Sequence, residues 1–201
     1  MRFQRLQEAI ELLKLDPPRP VAAIMHEQPD AWIEYNYSMY TVSLASLSDL
    51  GLLLTNDALR LGLSKHHCTA DVVKGMSQVR GSPPISKAIH DLEAVIKDHR
   101  KAKNKWFHRG EGPHVDEVSP TGDYRYLQFA TLTGAATNTP ETKRMLRRGY
   151  KREREELGRL LEREIARAYA AVVSLCDALL PFVPLPRPPE DTDRPRPGPT
   201  R

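Results

Sequence analysis

The chain has 201 residues, 40% hydrophobic and 28% charged, with a formal net charge of +4 and a sequence pI near 9.1. That length suits one domain with a tail, and the basic balance leans toward an anionic partner. Cys68 and Cys176 sit in unrelated contexts and indicate neither a disulfide scaffold nor a zinc ribbon, while the lack of a Walker loop, GxGxxG, HExxH or GxSxG motif sets aside the standard nucleotide hydrolases, dehydrogenases and serine esterases.

Phe3, Leu6, Ile10 and Leu13 recur at helical spacing and predict an amphipathic helix over 2–15, which "DPPRP" stops. The stretch "MRFQRLQEAIELLKLD" is polar throughout and lacks the apolar core of a signal peptide. No uninterrupted apolar run reaches the length of a bilayer span, so the expectation is a reduced, cytoplasmic chain without a membrane partner. Asp30 is a suitable N-cap for a long helix to about residue 62. Trp32, Tyr35, Met39, Val42, Leu50, Leu54 and Leu61 follow its period, and its upper part is apolar almost all round, as expected of a central, buried element. Ser43, Ala45, Ser46, Ser48 and Gly51 would let another helix approach closely.

A short helix over 69–79, capped by Thr69, is expected next, ended by Gly81 and the Pro83–Pro84 pair. From Ser86 a clear helix begins, with a seam of Ile85, Ile89, Leu92, Ile96 and His99 that extends to Lys103 and Trp106. "HRGEGPHVDEVSPTGDYRY" reads as a turn-rich connection, and "LQFATLTGAATN" as either a short helix or irregular structure. Thr139-Pro140-Glu141 combines a capping threonine, proline at the first helical position and an acid facing the macrodipole. The helix it opens runs to about Leu180, with Leu157, Leu161, Ile165, Ala168, Val172, Leu175 and Leu179 as its apolar stripe. The division is an N-terminal helix and linker over 1–29, a bundle over 30–182, and a proline-rich, disordered tail over 183–201. Strand-type alternation is weak everywhere, so the expected fold is all-α, an up-and-down bundle of about four main helices with short accessory helices.

The segment "DHRKAKNKWFHRGEG" concentrates the chemistry. Arg100, Asn104 and His108 fall at i, i+4, i+8, one stripe of a continuous helix, with Lys97, Lys101, Lys105 and Arg109 around them. A guanidinium can grip a phosphate through two oxygens, an amide can orient a neighbour, and an imidazole can move a proton near neutral pH. Metal-free RNA cleavage needs those parts: an acid or base near the 2′-OH and the leaving oxygen, and positive charge on the phosphate. The plainer reading is a basic helix end that complements its own dipole.

"KNKWFHRGE", late in the third main helix of an all-α chain, resembles the motif of the HEPN superfamily, an arginine followed by a polar residue and then a histidine. Asn104 and His108 match the polar residue and the histidine, Lys103 stands where the arginine belongs, and Arg100 lies further upstream than the family spacing. The long apolar helix with "YNYSMYTVSLASLSDLGLLLTNDALRLGL" and the following "ISKAIHDLEAVIKDHRKAKNKWFHRG" look like a clostridial-type HEPN group, a likeness covering about residues 30 to 180. The resemblance implies a helical bundle, often a homodimer, and in many members a metal-independent endoribonuclease of toxin–antitoxin, abortive-infection or CRISPR systems, with an antitoxin or operon partner protein. In those members the motifs of two protomers face each other and a 2′,3′-cyclic phosphate is left. Other members have lost the motif and only bind RNA, nucleotides or protein. Lys103 keeps a point charge without the planar fork, which leaves both outcomes open here. Under the first, His108 is the acid or base, Asn104 its orienter, and Lys103 or Arg100 the phosphate contact. No cofactor is implied.

His66, His67 and Cys68 in "KHHC" are adjacent and have no second ligand pair at standard spacing, so no metal site is assigned to them. His99 lies on an apolar seam and reads as a hydrogen-bonded core histidine. Trp106 and Phe107 read as a lid on the helix end sooner than as a base-stacking pair. In the last helix Arg144, Arg147, Arg148, Lys151 and Arg152 form basic first turns, with Arg147 and Arg148 the candidates for tracking a nucleic-acid backbone. Its later turns interleave acids and bases, as in Glu155 and Arg159, and read as a solvated face.

Overall fold

The computed structural model describes residues 2–17, 31–109, 120–122, 130, 133 and 139–183. These residues hold six α-helices and no strand: α1 (Arg2–Lys14), α2 (Ala31–Ala58), α3 (Ala70–Gly75), α4 (Ser77–Arg80), α5 (Pro83–Arg109) and α6 (Pro140–Leu179), with a 3-10 turn over Leu180–Phe182. The expected all-α bundle with four main and two accessory helices is what forms. The proposed Asp30 cap, most of the connection after α5 and the proline-rich tail lie outside the described residues.

Side-chain pairs fix the topology. Trp32 at the start of α2 donates from Nε1 to the carbonyls of Leu12 and Leu15 at the end of α1, at 3.1 and 3.2 Å. Thr41 meets His99, and a Cβ on Gly51 would lie 3.0 Å from Leu92, so α5 runs antiparallel to α2. His99 meets Glu164, and the same Cβ would be 3.2 Å from Leu175, so α6 runs antiparallel to α5. Phe3 stacks edge-on against Tyr169, and Lys14 pairs with Glu162. The result is an up-down-up-down bundle of α1, α2, α5 and α6.

The core has two halves. α1 closes the first, where Leu6, Ile10 and Leu13 pack with Ile33, Tyr40, Leu44, Ile96, Leu157 and Leu161. α1 is too short to reach the second, where Val73 of α3 and Val79 of α4 cover Leu52, Ile85, Ile89, Leu92 and Leu175 instead. The short helices differ from expectation in detail. The segment breaks at Met76, and Thr69 occupies the N-cap position without a side-chain hydrogen bond. By contrast, Thr139 does cap α6, its hydroxyl accepting from the Thr142 N–H at 3.2 Å.

The buried face of α2 mixes large apolar residues, among them Ile33, Tyr40, Leu44 and Leu52, with small polar ones, and it leaves part of the expected stripe outside. Tyr35, Met39, Leu50 and Leu54 are exposed, whereas Asn36, Thr41, Ser43, Ser48 and Thr55 are buried. The reason is that an all-round apolar helix has no preferred side, and small polar groups can choose it if they are satisfied inside. Asn36 donates to the Trp32 carbonyl and Thr55 to the Gly51 carbonyl, both at 2.8 Å. Gly51 then lets α2 sit against Leu92 and Leu175. Tyr40 is fully buried and donates to the Leu161 carbonyl at 3.1 Å. Burial pushes its phenol well above the usual range, so it stays neutral.

The C-terminal part of α6 also departs from expectation. Within Pro140–Phe182 an 18-residue window has a mean hydropathy of 1.5 and is 22% buried, enough by length and composition to cross a bilayer. Its inner side, Ala168, Ala171, Leu175 and Leu179, belongs to the core of the bundle.

Candidate nucleic-acid interface

α5 is helical from Pro83 to Arg109, so the backbone does place Arg100, Asn104 and His108 on one stripe. The side chains of Phe107, His108 and Arg109 lie outside the described residues. Arg100 is turned into the bundle. Its Nη1 donates to Glu93 Oε1 at 3.2 Å and its Nη2 to Ser48 Oγ on α2. Glu93 also holds Lys74 of α3, so the carboxylate joins α3 to α5. Lys103, in the position of the motif arginine, lies 3.6 Å from Asp49 on α2. Both cations closest to the motif are thus engaged with neighbours of the fold.

Asn104, Lys97, Lys101 and Lys105 are exposed. Lys101 lies 3.8 Å from Asp98, an exposed pair worth little. Trp106 is half-buried with its ring edge-on to Tyr37 at 6.3 Å, which fits the lid role. His99 is the core histidine expected from its seam: buried, 3.2 Å from Thr41 Oγ1 and 3.0 Å from Glu164 Oε2. The arrangement has the outline of a hydroxyl–imidazole–carboxylate relay, but Thr41 is fully buried, so the hydroxyl meets no substrate. In the loop before α3, His66 and His67 are exposed while Cys68 is buried, with burial pushing its thiol up. Among the described residues no three His, Cys, Asp or Glu side chains are grouped to hold a metal ion.

The first turns of α6 are different. Arg144, Arg147 and Arg148 are exposed, and none of the three is in an ion pair or hydrogen bond among the described residues. With Lys151 and Arg154 they step along one helix face at i, i+3, i+4, i+7 and i+10. They line a cavity of about 500 Å³ together with Tyr150 and with Asp16, which follows α1. Among the described residues none from α5 lines it, so Arg100 and Asn104 lie apart from Arg147 and Arg148.

Arg154 anchors this region. It is 3% exposed, donates from Nη1 to the Leu15 carbonyl and from Nη2 to Asp16, and its guanidinium carbon lies 4.6 Å from the Tyr150 ring centroid. Its Nε is buried without a hydrogen-bond partner. Glu153, beside it, is 1% exposed and accepts from the Thr121 N–H and hydroxyl. The sequence groups Arg144, Arg147, Arg148 and Lys151 with Arg152, but misses Arg154 and Asp16 as members of the same cavity. The helical spacing of the five cations was the available signal. The approach of Asp16 was not readable, because it depends on how α1 returns to α6.

Chemically the cavity offers several cations, one carboxylate already held by an arginine, a phenol and no histidine. Such a set holds oxyanions and supplies no evident acid–base pair near neutral pH. No protein-family model matches the chain, and no curated protein or solved structure matches it either.

Proposed function

We infer that this chain is an RNA-binding helical bundle of HEPN type that grips the phosphate backbone with the basic face of α6, while its α5 motif serves the fold. The observation that carries the reading is the set of three exposed arginines, Arg144, Arg147 and Arg148, that line one cavity and have no acidic partner among the described residues. Guanidinium groups gathered on one exposed face are a surface on which a phosphate chain can displace its counterions. The engagement of Arg100 and Lys103 with Glu93, Ser48 and Asp49 supports the same reading, since a phosphate would have to compete with these partners.

A second reading, a metal-independent endoribonuclease, is favoured by one observation: α5 stays helical through Arg109, which keeps His108 one turn from the exposed Asn104. On that reading two protomers set their His108 segments across a two-fold axis, and light scattering that gives a monomer at micromolar concentration counts against it.

An assay on single-stranded RNA in EDTA separates the two. The expected result is RNA bound and intact for wild type, for His108→Ala and for Lys103→Arg. Cleavage that survives EDTA, needs a 2′-OH and drops about 10²–10⁴-fold in His108→Ala would transfer the assignment to the ribonuclease. A chain that neither binds nor cuts RNA leaves the basic segments as helix ends, and both readings fail.

A further inference from the structure

The cavity on the α6 face has features that backbone tracking does not require. An internal phosphodiester carries one negative charge and passes through its site in two directions, so it suits an open basic stripe. Here the cations border a single cavity. Arg144, Arg147, Arg148 and Lys151 come from successive turns of α6, and the Arg154–Asp16 pair ties the end of α1 to the same cavity. Arg154 is nine-tenths buried and adds a fixed positive charge to the wall of the cavity. Asp16 is the one carboxylate lining the cavity, and its charge is offset by Arg154.

We propose that this cavity seats the terminal phosphate monoester of a nucleic-acid chain, in addition to whatever contacts the rest of the strand makes. This rests on the RNA-binding reading and sharpens it. A phosphate monoester carries between one and a half and two negative charges near pH 7, roughly twice that of a diester, and presents three free oxygens. Several arginine forks bordering one cavity match that tetrahedral, high-charge group, because each fork can take two oxygens. Arg147 and Arg148 are exposed and have no ion pair among the described residues, so turning to the ligand breaks none of these contacts. A phosphate at a 5′ end and one at a 3′ end have the same chemistry, and separate oligonucleotides tell them apart.

The test is fluorescence anisotropy with one short single-stranded RNA sequence in three forms: 5′-phosphate, 3′-phosphate, and hydroxyl at both ends. Wild type should bind one of the phosphorylated forms about 10-fold more tightly than the hydroxyl form, in line with the added charge-assisted bonds. Arg147→Ala/Arg148→Ala should abolish that preference. Both residues are exposed, so the thermal midpoint of this variant should match wild type, and folding is checked in the same samples. Equal affinity for all three forms, or a preference that persists in the double variant, overturns the terminal-phosphate site while leaving RNA binding standing. Failure to bind any of the three forms removes the RNA-binding reading and this inference together.

Discussion

Leu161→Ala should lower the stability of the bundle by about 3 kcal/mol, within the range for deleting a buried leucine side chain. Leu161 is 1% exposed and sits in the first core half with Tyr40, Leu44, Ile96 and Leu157. Four helices meet there, α1, α2, α5 and α6, and each is held in place by the others, so the space left by the lost side chain closes poorly. The Tyr40 hydroxyl donates to the Leu161 carbonyl, a backbone group the substitution retains, so the loss reports packing and not that hydrogen bond. Urea denaturation followed by circular dichroism should show a lower midpoint with an unchanged slope. A loss below about 1 kcal/mol would mean that Leu161 is not in a close-packed core.

Arg154→Ala should cost about 2–4 kcal/mol, the sum of a buried stem and its hydrogen bonds. The guanidinium reaches the Leu15 carbonyl and Asp16 at once, and lies over the Tyr150 ring. It therefore fixes the end of α1 to α6. Asp16 is largely exposed, so removing its partner strands no buried charge, and the cost is smaller than for a fully buried ion pair. Arg154→Lys should recover only a minor part, because one ammonium cannot reproduce the fork. Hydrogen exchange locates the effect: α1 amides should lose more protection than the α5 amides around Ile89 and Leu92. Equal loss everywhere would mean that α1 is not separately tethered by this residue.

Much of the architecture was legible because the long helices are amphipathic. The seam of Ile85, Ile89, Leu92 and Ile96 on α5 is buried throughout, and on α6 Leu157, Leu161, Ala168, Leu175 and Leu179 are buried as the period predicts. α2 defeated the same method. Its apolar residues surround the helix, and the face turned inward is marked by Asn36, Thr41, Ser48 and Thr55, whose burial depends on partners in their own backbone or on other helices. The basic residues of both candidate surfaces were legible, and their surroundings were not. The sequence reading put phosphate-binding charge on Arg100 and Lys103, but both have carboxylates within reach that are distant or off-seam in sequence, Glu93 and Asp49. An ion pair between helices cannot be read from either helix alone. The arginines at 144, 147 and 148 were visible as a basic run, and their lack of partners among the described residues became evident only once the acids of the neighbouring elements had positions.

The central claim, that the α6 face carries the RNA contacts, is tested most directly by the salt dependence of single-stranded RNA binding. Wild type is compared with an Arg144→Ala/Arg147→Ala/Arg148→Ala variant and with a Lys97→Ala/Lys101→Ala control on α5. Each lost phosphate contact removes roughly 0.7 from the slope of log affinity against log salt. The α6 variant should therefore lose about 2 units of slope if all three arginines touch phosphates, and the α5 control should keep the wild-type slope. A wild-type slope in the α6 variant, or a larger loss in the α5 control, would contradict the account and return the nucleic-acid surface to the α5 segment.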